Sequence, residues 1–166
     1  DFGVGDVIVP KQEKRKIPTQ LDDFTSPTVN TYSLETTIAE KLDAILDLME
    51  FSSRMKDYYD IYYLANKFDF DGKVLTEALK KTFENRGHTF TIEQFEQVMS
   101  FANDSAMQKK WKAFYRKIDT KTDDFNTVLK TIKQFLTKPF TAAVKDEKFT
   151  DQWYSNENKW NKEIQK

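Results

Sequence analysis

The 166-residue chain has no cysteine, one histidine (His88), four glycines and four prolines. Without cysteine it has no disulfide, no thiol nucleophile and no cysteine-based zinc site. A single histidine rules out any site built on two histidine ligands and leaves a serine–histidine triad only one base. The glycines form neither G-x-x-x-x-G-K-[ST] nor G-x-G-x-x-G, which removes P-loop and dinucleotide-fingerprint chemistry. Asp1-Phe2-Gly3 is no kinase signal, because neither an H-R-D loop nor a glycine-rich loop accompanies it. No apolar run approaches the ~18 residues of a membrane span, and no charged-then-apolar leader opens the chain. A soluble, cytoplasmic, reducing setting without a membrane partner is the expectation.

What is present is core material and balanced charge. The 14 Phe, 7 Tyr and 3 Trp are ample for a core, and 26 basic against 27 acidic side chains leave a net charge of −1. That balance argues against a generically basic nucleic-acid binder and against an acidic solvating tail. The length suits one domain of the usual ~100–200 residues. The chain opens at Asp1 directly on a strand-like Val4-Gly5-Asp6-Val7-Ile8-Val9 stretch, so residues are expected to precede it.

Residues 4–9 read as a strand ended by Pro10, Lys11–Lys16 as a loop or hairpin tip, and Ile17-Pro18-Thr19 as a short edge strand. Leu21–Val29 reads as irregular linker. From Ser33, a suitable N-cap, the spacing predicts a helix over 34–50, broken at Phe51-Ser52-Ser53 and followed by a second over 54–67. A third runs from Asp71-Gly72 to Gly87, and Thr91 with Gln94 forms a capping-box pattern for a fourth through Phe101. A fifth is expected over Met107–Ile118 and a sixth over Phe125–Thr137, closed by Pro139. The tail, with Trp153 and Trp160, reads as a last short helix or a segment lying over the body. The expected fold is mainly α (α+β): a multi-helix body at 32–139, a short N-terminal β segment at 1–31 and a tail at 140–166.

Some charges break the helical patterns. On a wheel of ~100° per residue, Glu40, Asp43, Asp47 and Glu50 fall opposite the apolar arc, as a solvated face should. Lys41 falls inside that arc, between Leu48 and Leu34. It is either a snorkelling lysine at the stripe edge or an ammonium held in a cleft for an anion such as phosphate. On the second helix Asp57 falls between Leu64 and Ile61, and Arg54 between Ile61 and Ala65. Arg54 and Asp57 suit a local i,i+3 ion pair; alternatively Asp57 faces Lys41 across a helical hairpin.

The segment Tyr32-Ser33-Leu34-Glu35-Thr36-Thr37-Ile38-Ala39-Glu40-Lys41-Leu42-Asp43-Ala44 carries a second kind of information. Together with Ser53-Arg54-Met55-Lys56-Asp57-Tyr58-Tyr59-Asp60-Ile61-Tyr62-Tyr63-Leu64, it resembles the AbiEii/AbiGii-type nucleotidyltransferase toxins of bacterial abortive-infection and type IV toxin–antitoxin systems. Gly3-x-Gly5-Asp6-Val7, Thr82-Phe83-x-x-Arg86-Gly87 and, more weakly, Trp111-x-Ala113-Phe114 extend the resemblance over roughly residues 1–120. It implies phage defence by transfer of a nucleotide from an NTP, with Mg²⁺, to a tRNA-like acceptor, and an antitoxin partner. The family pattern has a Gly-Ser or Gly-Gly turn, a D-x-D pair, a lysine and a later aspartate.

The resemblance matches the lysine to Lys41 and the aspartate to Asp57 as catalytic residues. The turn and the D-x-D belong upstream of the opening strand, and Asp1 and Asp6 do not restore them. Lys41 would hold the triphosphate, with Arg54 and Lys56 as further nucleotide-binding residues and Asp60 as a brace. Asp57 would orient Lys41, contribute to a metal site that is incomplete in this chain, or accept the proton of the acceptor hydroxyl. The chain is then the rear portion of a larger enzyme, its β segment a remnant of the nucleotidyltransferase core. Alone it is expected to be inactive and to bind neither Mg²⁺ nor NTP tightly. The alternative is a non-enzymatic helical module that binds an antitoxin or nucleic acid.

Residues 105–138 carry nine basic side chains against three Asp, whereas 34–51 sum to −4, so the overall neutrality hides a polarity of charge. Lys109, Lys112 and Arg116, interleaved with Trp111, Phe114 and Tyr115, are candidate RNA contacts, or else one solvated helix face.

Overall fold

The computed structural model describes residues 13–16, 28–31, 33–51, 53–118 and 123–162. The expected strands at 4–9 and 17–19 lie outside the described residues. Within them the order is β1 (Glu13–Lys16), β2 (Thr28–Thr31), α1 (Leu34–Leu48), α2 (Met55–Lys67), β3 (Phe70–Asp71) and α3 (Gly72–Arg86). The chain continues through α4 (Ile92–Ser100), α5 (Ser105–Tyr115), α6 (Phe125–Lys145), β4 (Gln152–Tyr154) and β5 (Lys159–Asn161). The protein is mainly α with small antiparallel sheets, as expected. β1 and β2 pair with Glu13 opposite Thr31 and Lys16 opposite Thr28, so residues 13–16, read as part of a loop or hairpin tip, and 28–29, read as linker, lie in a ladder instead.

Local chemistry sets the helix starts. All but α2 begin where a short polar side chain takes an otherwise unpaired N–H of the first turn. The Ser33 hydroxyl accepts from Thr36 N–H at 3.1 Å, and Asp71 accepts from Lys73 and Val74 N–H at 2.8 and 3.2 Å. Thr91 and Gln94 close the capping box reciprocally, Asp104 starts α5 and Asp124 starts α6. Gly87 ends α3 in the left-handed region at φ 68°, a conformation glycine adopts without strain. α5 therefore starts and stops a few residues before its expected span.

α6 is the axis of the body and packs against α2, α3 and α4, while α1 lies against α2, α3 and α4. Ile38, Leu42 and Ile45 of α1, Tyr58 and Ile61 of α2, Leu75 and Leu79 of α3, and Ile132, Phe135 and Phe140 of α6 are fully or almost fully buried in one core.

The expected stop of α6 at Pro139 is corrected: the helix runs through it to Lys145. Proline has no N–H for the carbonyl four residues earlier, that of Phe135. Trp160 supplies the missing donor, its indole N–H reaching the Phe135 carbonyl at 2.8 Å. Of the two expectations for the tail, the last short helix is corrected: the segment carrying Trp153 and Trp160 lies over the body as two short strands. β3, β4 and β5 form one antiparallel sheet with Phe70 opposite Trp153 and Trp153 opposite Trp160. Trp153 donates to the Ala65 carbonyl at 2.7 Å, in the last turn of α2. The tail also presses on Gly72, where an added Cβ would lie 2.6 Å from both the Asp151 carbonyl and the Phe149 ring.

Trp160→Phe keeps an aromatic ring but strands the Phe135 carbonyl, at an expected cost of about 1–3 kcal/mol. In a Pro139→Ala background residue 139 regains its N–H, and that cost is expected to shrink by about 1 kcal/mol. Urea unfolding of the four proteins measures the cycle; the same cost in both backgrounds contradicts it.

Candidate functional site

α1 and α2 are consecutive helices joined by a 3₁₀ turn at Met49–Phe51, and they pack together. Lys41 leaves α1 at the rim of its buried face and crosses to α2. Its Nζ donates to Asp57 Oδ1 at 3.0 Å and lies 2.7 Å from Asp60 Oδ2. The other Asp57 oxygen accepts from Arg54 Nε at 2.5 Å, and Asp60 Oδ2 also accepts from Lys56 Nζ at 2.6 Å. Both sequence readings of Asp57 hold together, as it pairs locally with Arg54 and faces Lys41. Asp60, expected as a brace, contacts Lys41 directly. Arg54 stands just before α2 rather than on its apolar face, with its side chain 57 % exposed.

The cluster contains three cations and two carboxylates, so its local charge is +1. The Asp57 side chain is 4 % exposed and that of Lys41 19 %, so this is an ionic site mostly withdrawn from water. Burial works to lower the Lys41 pKa, but its hydrogen bonds to Asp60 and Asp57 and their charges outweigh it. The net shift is upward, so Lys41 stays an ammonium and is no general base near neutrality. Two of its three N–H donors face carboxylates, which leaves one for a ligand.

This donor set does not fit the Mg²⁺ that the sequence resemblance implies. Every carboxylate oxygen of the cluster that makes a contact faces a cation. Among the described residues no group of three or more acidic or histidine side chains is placed to hold a metal. The sequence does contain one D-x-D, Asp69-Phe70-Asp71. Asp69 accepts from the Ser155 N–H and hydroxyl and Asp71 caps α3, so both bind the fold together.

Asp43 corrects the wheel. Expected on the solvated face, its side chain is 1 % exposed, with Oδ2 accepting from Arg86 at 2.9 Å and Oδ1 2.9 Å from His88 Nδ1. A wheel assumes one covered face, but α1 is covered on a second side by α3, and Thr36, Ala39 and Leu46 share that side with Asp43. Asp47, next on the same turn, stays exposed.

The candidate RNA contacts sit elsewhere. Lys109, Lys112 and Arg116 are all exposed along α5 and its C-cap. Lys112 also lines a cleft of about 530 Å³ with Gln108, Trp111, Tyr115, Asp123, Asp124, Phe125 and Asn126. The Lys41 cluster does not line that cleft, so the described residues hold two separate polar features. Tyr62 of α2 reaches the cleft side by donating to Asp123. Burial, then that hydrogen bond and the Asp123 charge, push the Tyr62 phenol up to about 12.

Asp43→Ala leaves Arg86 and His88 without their carboxylate and is expected to cost about 3 kcal/mol, the low end for a broken buried pair. Asp47→Ala is expected to stay within ~0.5 kcal/mol; equal urea midpoints for the two variants contradict the assignment. For Tyr62, the folded state binds its proton more tightly than the unfolded chain does. Its contribution is complete below the ordinary value of 10.0 and is lost as pH rises towards about 12. Tyr62→Phe is therefore expected to flatten the alkaline fall in stability, and an unaltered pH profile contradicts this.

A family model for the nucleotidyl transferase AbiEii toxin of type IV toxin–antitoxin systems matches residues 1–152. No curated protein and no solved structure gives a significant match. The matched span includes the whole Lys41 cluster, Asp43 and the α5 basic face, and the chain belongs to the AbiEii nucleotidyl transferase toxin family of type IV toxin–antitoxin systems.

Proposed function

We propose that the Lys41 cluster holds the triphosphate of a nucleoside triphosphate during nucleotidyl transfer to an RNA acceptor of tRNA type. The observation that supports this most is the +1 cluster in which a mostly buried lysine, fixed by two carboxylates, keeps one donor uncommitted. Phosphoryl-type transfer is mainly positioning and charge stabilisation. Lys41 presents its remaining N–H to a phosphate oxygen, and Asp57 and Asp60 fix the direction of that N–H. Exposed Arg54 and Lys56 add positive charge at the mouth. With both Asp57 oxygens facing cations, orienting Lys41 is the role the geometry supports, ahead of metal binding or proton abstraction.

The described residues do not fit a divalent cation, so no step is derived through one. The chain by itself is expected to engage NTP weakly and not to transfer it. The type IV toxin–antitoxin family implies an antitoxin partner, and bacterial phage defence in the cytoplasm is the setting proposed with it. No helix among the described residues is long and apolar enough to cross a membrane.

One charge-assisted hydrogen bond contributes about 1.5–3 kcal/mol, so Lys41→Gln is expected to weaken NTP binding at least ~10-fold. Arg54→Ala and Lys56→Ala, at exposed positions, are expected to weaken it several-fold without loss of fold. Lys133→Ala, paired with Glu96 away from the cluster, serves as control. Titration of the full chain with each NTP reads the effect. Wild-type affinity in the Lys41, Arg54 and Lys56 variants would falsify the assignment, and robust nucleotidyl transfer by these 166 residues would overturn the expected inactivity.

A further inference from the structure

The cleft at α5 and the start of α6 is built differently from the Lys41 cluster. Its floor is aromatic: Trp111 and Phe125 are 4 % and 3 % exposed, with ring centroids 5.3 Å apart and planes 30° apart. The Trp111 indole N–H is fixed on the Asp123 carbonyl at 3.1 Å, so the floor is held in place. Tyr115, one turn further along α5, stands at the rim, 38 % exposed. A cleft of about 530 Å³ bounded by a fixed aromatic floor and an exposed phenol has room for a planar heterocycle.

The polar groups of the cleft divide into committed and open ones. Asp124 accepts from the Thr127 N–H and hydroxyl, Asp123 accepts from Tyr62, and the Gln108 amide donates to the Ala102 carbonyl. The Asn126 side-chain amide, the Tyr115 hydroxyl and the Lys112 ammonium make no hydrogen bond with the other described residues. The Asp123 and Asp124 carboxylates, which line the cleft, repel phosphate, which suits their part of it to an uncharged base.

The backbone of such a ligand has its own track. Lys109, Lys112 and Arg116, at i, i+3 and i+7, lie along one exposed face and make no ion pair with the other described residues. Lys110, Lys133 and Lys138, by contrast, are committed to the Glu50 carbonyl, Glu96 and Asp151. An unpaired cationic row beside an aromatic cleft is complementary to a single strand, whose bases can leave the stack while its phosphates follow the cations.

We propose that this cleft is a single-stranded RNA subsite. One unstacked base lies on the Trp111–Phe125 floor beside Tyr115, and Lys109, Lys112 and Arg116 hold the adjoining phosphates. The choice of RNA rests on the function proposed above; the place of the site rests on the cleft and the cationic row.

The experiment titrates the full chain with a fluorescein-labelled 12-nucleotide oligoadenylate and with an RNA duplex of that length, at several salt concentrations. Tyr115→Ala is expected to weaken oligoadenylate binding roughly 5- to 100-fold, the range of one base–aromatic stack, with the salt slope unchanged. Lys109→Ala, Lys112→Ala and Arg116→Ala together are expected to lower the slope by about 2, near 0.7 per phosphate contact. The duplex is expected to bind at least ~10-fold more weakly, because its bases are stacked. All four positions are exposed, so the variants retain the wild-type melt. The proposal is overturned if Tyr115→Ala binds like wild type, if the triple variant keeps its salt slope, or if duplex and single strand bind equally. Lys41→Gln, run in parallel, separates the two proposals. NTP binding lost there with cleft variants silent towards RNA ends this proposal alone, whereas oligoadenylate binding lost in the cleft variants with Lys41→Gln silent towards NTP ends only the triphosphate assignment.

Discussion

A charge withdrawn from water must find a partner, and α1 carries two such charges on opposite sides. Lys41 and Asp43 are separated by about 200° on the helix, so one turns to α2 and the other to α3. Lys41 meets Asp57 and Asp60, and Asp43 meets Arg86 and His88. Held on both flanks, α1 is fixed in rotation and in height against its neighbours. The ammonium is thereby placed before any ligand arrives, which is the condition for electrostatic stabilisation without reorganisation.

The rest of the fold supports that placement through the tryptophans. Each of the three donates its indole N–H to a backbone carbonyl that the local structure leaves without a helical partner. Trp153 takes a carbonyl in the last turn of α2, the helix that carries Asp57 and Asp60. Trp160 takes the carbonyl freed by Pro139, so the longest helix continues across a residue that would otherwise end it. Trp111 ties α5 to the segment entering α6 and so shapes the second polar feature, the aromatic cleft.

What was legible in the sequence was local. Ser33, Asp71, Thr91 with Gln94 and Gly87 act within one turn of chain, the first four through their side chains and Gly87 through the lack of one. Lys41 and Asp57 were also legible, because each interrupts an apolar stripe and the second helix follows the first closely. Asp43 was not, since its burial depends on α3 arriving from the far side, and a wheel carries no information about a third helix. The Pro139 correction has the same origin: the compensating donor lies 21 residues later, in a tail with no helical or strand periodicity. The aromatic cleft needed the fold as well, because Tyr115 and Asn126 line one cleft only once Trp111 of α5 stacks on Phe125 at the start of α6.

The central claim is that the Lys41 ammonium, oriented by Asp57 and Asp60, is the group that meets the triphosphate. Nitrogen-detected NMR of the lysine ammonium groups, with Lys41 assigned by its loss in Lys41→Gln, observes that atom directly. On titration with an NTP the account predicts a saturating shift of the Lys41 signal, larger than that of Lys133 and absent with the bare nucleoside. A Lys41 signal that stays unmoved while NTP binds, or that moves equally with the nucleoside, contradicts it.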